Sequence, residues 1–114
     1  MVKHEADVKR VKLSGDDLRN VEKQILIGPA DGFDGFFRVF SIKPGGNTPY
    51  HKHTWWHANY VLEGKGKIVL EGKDHPIEKG SVAYIEGNKI HQFVNTGNTE
   101  LRFICLVPPD GDSY

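Results

Sequence analysis

Gly45-Gly46-Asn47-Thr48-Pro49-Tyr50-His51-Lys52-His53-Thr54-Trp55-Trp56-His57 holds three of the six histidines of this chain within seven residues. On an extended strand, residues two apart share a face. His51 and His53 therefore present two imidazoles side by side, and His57 has the same parity. A fourth, His91, follows the turn Glu86-Gly87-Asn88-Lys89 and opens another short strand. Imidazole is the commonest metal-binding side chain and suits Mn, Fe, Ni, Cu and Zn. His4 and His75 sit among charged residues and read as surface groups.

Outward from this stretch, thirteen glycines and six prolines punctuate the chain without forming a linker. Their spacing is that of a sandwich or barrel of short antiparallel strands. Strand-like runs fall at Val8–Leu13, Val21–Ile27, Phe36–Ile42, Ala58–Leu62, Lys67–Leu70, His75–Ile77, Val82–Ile85, Gln92–Asn95 and Leu101–Val107. Turns are expected at Pro44-Gly45-Gly46-Asn47 and Asn95-Thr96-Gly97-Asn98, and tight hairpin loops at Gly64-Lys65-Gly66 and Glu71-Gly72-Lys73. Only Asp16–Lys23, with Ser14 as a possible N-cap, has room for two helical turns, and Asn20 and Val21 weaken it. Residues 109–114 have the composition of a loose tail.

The 114 residues suffice for one domain, 1–114, and are too few for two ordinary ones. Fifteen basic and fifteen acidic side chains cancel, which removes the electrostatic case for a nucleic-acid or anionic-membrane partner. No apolar run is long enough to span a bilayer, and the first residues lack the apolar stretch of a signal peptide. A lone cysteine, Cys105, forms no internal disulfide, and a cytoplasmic location is the expectation. No Walker loop, dinucleotide fingerprint or nucleophile elbow is present.

Two spacings resemble the cupin family. The first cupin motif, G-x5-H-x-H-x3-E-x6-G, resembles Gly45-x5-His51-x-His53-x3-His57-x6-Gly64, with His57 where the family usually has Glu. The second, G-x5-P-x-G-x2-H-x3-N, resembles Gly80-x5-Glu86-x-Asn88-x2-His91-x3-Asn95, with Glu86 and Asn88 replacing the Pro and the second Gly. The motifs occupy residues 45–64 and 80–95. The resemblance implies an all-β jelly roll with little or no helix, of the small single-domain type with an all-histidine site. It makes His51, His53, His57 and His91 ligands of one divalent transition ion, Mn2+ being favoured and Fe2+, Cu2+, Ni2+ or Zn2+ the other choices. Four neutral donors leave the charge of the ion uncompensated and so strengthen its Lewis acidity. Because free imidazoles titrate near 6.5, metal binding is expected to weaken as pH falls from 6 to 5.

The last strand gives the surroundings. With Arg102 facing water, Leu101, Phe103 and Cys105 turn inward, toward what the resemblance makes the metal cavity. Cys105 reads equally as an outer-sphere or oxidisable thiol and as a small buried hydrophobe. Ile104 and Leu106 point outward and need cover from the N-terminal strands or a second subunit, so a homodimer is expected. Arg38 either anchors a carboxylate or, the favoured reading, lies along the sheet surface over apolar neighbours. Trp55, Asn59, Val61 and Phe93 are further wall positions, and Asn95 caps backbone beside its turn.

The leading expectation is a metal-dependent oxidoreductase with dioxygenase-like chemistry on a small organic molecule. The alternatives are redox-neutral isomerisation, cyclisation or lyase chemistry, discriminated by activity with Zn, and a non-catalytic small-ligand-binding protein.

Overall fold

A computed structural model describes residues 1–113. Nine antiparallel strands are found among them: β1 Val11–Lys12, β2 Arg19–Ile27, β3 Phe36–Asn47, β4 His57–Glu63, β5 Lys65–Leu70, β6 Lys73–Glu78, β7 Val82–Ile85, β8 His91–Asn95 and β9 Leu101–Val107. Each coincides with one of the nine runs legible in the sequence, although β1 keeps only two residues of its run. Helix is confined to two single 3-10 turns, Glu5–Asp7 and Pro29–Asp31.

The strands form one curled sheet in the order β6-β5-β8-β3-β9-β4-β7, with β1 and β2 added on the free side of β3. β3 makes the curl possible. Its first half pairs with β9 from Phe36↔Val107 to Ile42↔Leu101, while its last residue, Asn47, pairs with Val94 of β8. The expected turn at Pro44–Asn47 is thus a bulge within a continuous strand. Register on β2 jumps from Val21↔Ile42 to Arg19↔Asn47, and Gly45 takes φ of 81°. The extra residues bend β3 from one wall of the barrel into the other, as bulges do at barrel corners.

Two other local expectations change and one holds. The Asp16–Lys23 stretch is a turn followed by β2, with Asp17 and Asn20 both at positive φ, where a helix cannot run. Gly64-Lys65-Gly66 is a corner and no hairpin, because β4 pairs with β7 and β9 whereas β5 pairs with β6 and β8. The tight hairpin expected at Glu71-Gly72-Lys73 is present, its loop being Glu71-Gly72 alone between Leu70↔Lys73, with both residues at positive φ.

The inward-facing residues make the core. Phe40, Ile42, Val61, Ile68, Ile77, Ile85, Phe93, Leu101 and Phe103 are all buried. Phe103 stacks against Phe93 at 4.1 Å and Phe40 at 5.7 Å between ring centres, so three rings fill the barrel axis.

Arg102 does not face water; only 8% of it is exposed. It does point away from the barrel interior, yet the N-terminal segment lies across that outer face. Arg102 donates to both carboxylate oxygens of Glu5, to Ser41 and to Gln24. Gln24 in turn donates to the carbonyls of Glu5 and Val8. Alternation therefore located the face correctly, and the N-terminal segment folded across it, with Glu5 outside every strand-like run, decided its burial.

Candidate metal centre

His51, His53 and His57 do not alternate along one strand. Residues 48–56 form a loop between β3 and β4, with His51 in a single bridge to His91 and His57 as the first residue of β4. Pro49 lacks the amide a ladder requires. The loop is held by its neighbours. His51 and His91 exchange backbone hydrogen bonds of 3.1 and 2.9 Å, and the Asn88 amide donates to the His53 carbonyl. A Cβ on Gly87 would run into the Thr54 carbonyl oxygen, so the close approach of these two loops requires glycine. Asn88 stands at φ of 66°. That left-handed conformation explains the glycine of the cupin motif there, and Asn is among the few residues that tolerate it.

The loop brings all four imidazoles together. Nitrogens of His51, His53 and His91 lie within 4.8 Å of one another, a grouping able to hold a metal ion. His57 joins them through its ring, 4.7 Å from that of His91 and 5.4 Å from that of His53. Trp55 stacks flat on His53 at 4.4 Å.

The outer nitrogens fix which way the lone pairs point. His53 Nδ1 lies 2.8 Å from the Trp55 carbonyl, and His91 Nδ1 lies 2.8 Å from the Lys89 carbonyl. A carbonyl only accepts, so both Nδ1 atoms carry the proton. Asn59 donates through Nδ2 to the Ile104 carbonyl, which turns its Oδ1 toward His57 Nδ1 at 2.6 Å. His57 is protonated at Nδ1 for the same reason. Asn59 and two backbone carbonyls thus fill the orienting role that outer-shell acceptors play at metal sites.

Burial keeps the rings neutral. Desolvation, with neighbouring imidazoles adding to it, lowers His51 to about 4 and His57 to about 3. Desolvation also lowers His53 and His91, against the backbone carbonyls that hold their Nδ1 protons. The Nε2 atoms of His57 and His91 stand 3.0 Å apart. With both Nδ1 atoms protonated, the two Nε2 atoms of neutral rings present lone pairs to each other, an arrangement that a shared cation would satisfy. Two nitrogens about 2.1 Å from one ion at a right angle would be separated by about 3 Å. The donor set fits a divalent ion.

Beside the histidines, Phe40, Phe93 and Phe103 form an apolar floor, with Thr48, Trp55 and Cys105 on the walls. About 20 Å³ of this cavity is open to the centre of a water molecule, room for little more than one. Val61 packs in the core beneath rather than on the lining, and Asn59 stands behind His57. Arg38 does not lie along the outer surface. It points into the cavity, 4% exposed, because it shares inward parity with Phe40 and Ile42. Its guanidinium sits 4.9 Å over the Phe40 ring and donates to Cys105 Sγ at 3.1 Å. Burial raises the pKa of Cys105, so it stays a thiol despite the Arg38 charge beside it. Asn95 caps backbone as expected, donating to the Ile42 and Thr99 carbonyls.

Pro109–Ser113, expected to be loose, lies across the cavity. Gly111 is buried, Gly111 and Ser113 contribute to the lining, and Asp112 pairs with Arg38 and Lys23. Tyr114 lies outside the described residues. Phe40 was legible from its parity with Arg38; Thr48 and Asp112 have no pattern that marks them.

Known proteins supply the rest. An oxalate-binding protein of Thermotoga maritima is 35% identical over 72 residues, 62% of this chain and 60% of that protein, so the chain spans less than two thirds of its length. The polyketide synthase CurC of Streptomyces cyaneus is 28% identical over 90% of this chain and 68% of that protein. Among solved structures, the polyketide cyclase RemF from Streptomyces resistomycificus superimposes with a TM-score of 0.88 at 31% identity, covering 96% of this chain and 81% of that one. The cupin domain family itself matches residues 38–107, a span that runs from within β3 to the end of β9 and contains all four clustered histidines, and the chain belongs to that family.

Proposed function

We propose that this cupin holds one divalent transition ion on His51, His53, His57 and His91 and performs redox-neutral chemistry, a cyclisation or isomerisation, on a small oxygen-rich organic molecule. The observation that carries the reading is the pair of Nε2 lone pairs 3.0 Å apart, on rings whose Nδ1 protons are committed elsewhere. The likeness to a polyketide cyclase over 96% of the chain favours cyclisation over the dioxygenase-like chemistry expected first.

When bound, a divalent ion on neutral donors supplies Lewis acidity, polarising a carbonyl or enolate oxygen. The residues of the chain do the remainder. Asn59 and the Trp55 and Lys89 carbonyls hold the imidazoles in the tautomer that aims lone pairs inward. Phe40, Phe93 and Phe103 exclude water from the floor and present flat apolar surface to a substrate. Arg38 places a fixed positive charge at the wall, suited to an anionic end of that substrate.

Chain loaded with Mn or with Zn, incubated with short β-polycarbonyl acids under nitrogen and under air, tests the reading by mass spectrometry and an oxygen electrode. Products isomeric with the substrate, or lighter by one water, are expected with both ions and without oxygen uptake. Oxygen uptake matching turnover, seen with Mn and absent with Zn, would restore the dioxygenase-like reading. Tight binding without turnover under either gas would make the protein a ligand carrier.

A further inference from the structure

The cavity as it stands has room for little more than one water molecule, and the segment Pro109–Ser113 narrows it, with Gly111 and Ser113 in the lining. Gly111 sits where a Cβ would come within 2.6 Å of Val107 and 2.9 Å of Trp55, and its amide donates to the Pro108 carbonyl. Among the described residues, a carboxylate oxygen of the segment ties it to the cavity wall. Asp112 Oδ1 accepts from Arg38 Nη1 at 3.2 Å and from Lys23 Nζ at 2.9 Å. The Arg38 side chain is only 5% exposed, and its other donors reach the Cys105 carbonyl and thiol, neither of them anionic.

We propose that Pro109–Ser113 is a latch whose Asp112 carboxylate fills the anion subsite of the cavity, and that the molecule taken up bears a carboxylate which replaces Asp112 on Arg38. The inference rests on reading the cavity as a small-molecule site and specifies the class of molecule. Lifting the roof removes the counterion of a guanidinium buried among aromatic rings and a neutral thiol. Leaving such a charge uncompensated is costly, so opening is coupled to the arrival of another anion. The guanidinium, 4.9 Å over the Phe40 ring and bonded to the Cys105 carbonyl and thiol, presents a fork that a planar carboxylate matches. Lys23 stays at the rim to share the incoming charge, as it now shares that of Asp112. Because the competitor is part of the same chain, its effective concentration is in the millimolar range or above. The latch therefore discriminates against uncharged molecules and weak acids present at low concentration.

The test is calorimetric titration of the metal-free 114-residue chain with acetate and benzoate, with acetamide and benzamide as uncharged counterparts. Asp112→Asn, which removes the internal competitor, is expected to bind at least one of the acids at least fivefold more tightly than the unaltered chain. Arg38→Gln is expected to lose at least tenfold, and Arg38→Lys, which keeps a charge in the core, to lose less. In the unaltered chain, saturating benzoate is expected to speed hydrogen exchange at the Gly111 amide. Equal acid affinity in Asp112→Asn and the unaltered chain, or undiminished affinity in Arg38→Gln, would overturn the latch. So would a Gly111 amide that exchanges no faster with either acid present. Elemental analysis of the same proteins after reconstitution with Mn separates the two readings. Metal uptake with acid binding indifferent to Arg38 refutes the latch alone; Arg38-dependent acid binding in a chain that holds no metal refutes the metal reading alone.

Discussion

At the residue scale, the four histidines are distinguished by what lies behind them. Asn59 is held by the Ile104 carbonyl and presents only its oxygen to His57. Asn59→Leu keeps the volume and removes that acceptor, freeing the His57 ring to rotate or change tautomer. Metal affinity is expected to fall by about 10- to 100-fold, as it does when outer-shell partners of metal-binding histidines are lost. Competition titration against a chromogenic chelator measures it, and an unchanged affinity would show that the ring is positioned by packing alone. Burial also alters the expected response to acid. In the unfolded chain these imidazoles take up protons near pH 6.5, whereas in the folded chain His51 waits until about 4 and His57 until about 3. Between those values the unfolded state binds more protons, so stability rises with pH and is lost as pH falls from 6.5 toward 4. The urea midpoint of the metal-free chain is expected to drop between pH 7 and pH 5, and a flat midpoint would contradict neutral, buried rings. The same shift moves proton competition for the metal below the window of 6 to 5 that unperturbed imidazoles imply.

At the scale of elements, the site is a product of two loops meeting, and this is where the sequence was least explicit. The β runs were legible because alternation and Gly/Pro punctuation are local properties. Phe103 and Cys105 faced inward as their parity required, and the histidine spacing marked the imidazoles that cluster although the strand assumed beneath it is a loop. The spacing reflects a turn that returns three imidazoles to one point, a geometry period-two logic reproduces only by coincidence. Long-range cover was not legible: neither Glu5 over Arg102 nor Asp112 over Arg38 leaves a periodic trace. Gly87 shows how closely the loops meet, since the Thr54 carbonyl occupies the space a methyl group would need. Gly87→Ala is expected to separate them, destabilising the chain by about 1–3 kcal/mol and loosening the His53–His91 side of the site. Urea unfolding with and without Mn measures both effects. Loss of stability with unaltered metal affinity would mean the loops bind the ion independently of their contact.

At the scale of the whole molecule, the chain completes its own core. Its radius of gyration of 13.3 Å is that of a compact body of this length, about 13 Å by the usual scaling. No helix among the described residues is long and apolar enough to cross a membrane. The N-terminal segment covers the outer face around Ser41 and Arg102, and Ile104 and Leu106 are left half-buried. A neighbouring part of the same wall is bare. On β4 and β7, Tyr60 faces Val82 and Ala58 faces Tyr84 across the ladder, with Val82 74%, Tyr84 63% and Tyr60 47% exposed. Trp56 continues the patch, its ring 6.4 Å from that of Tyr84. Contiguous aromatic surface on the edge strand of a sheet is an association surface by its chemistry, and an unprotected edge adds free backbone donors to it. The homodimer is therefore expected to form through β4–β7, on the outer face of a strand that begins with the cavity residue His57. Light scattering is expected to give twice the 12.8 kDa of one chain. Tyr84→Asp, a charge set in the middle of the patch, is expected to halve that mass while leaving bound metal at one ion per chain. A monomeric mass for the unaltered protein would mean that these side chains serve something other than a second copy. A dimer indifferent to Tyr84→Asp would move the interface to another face.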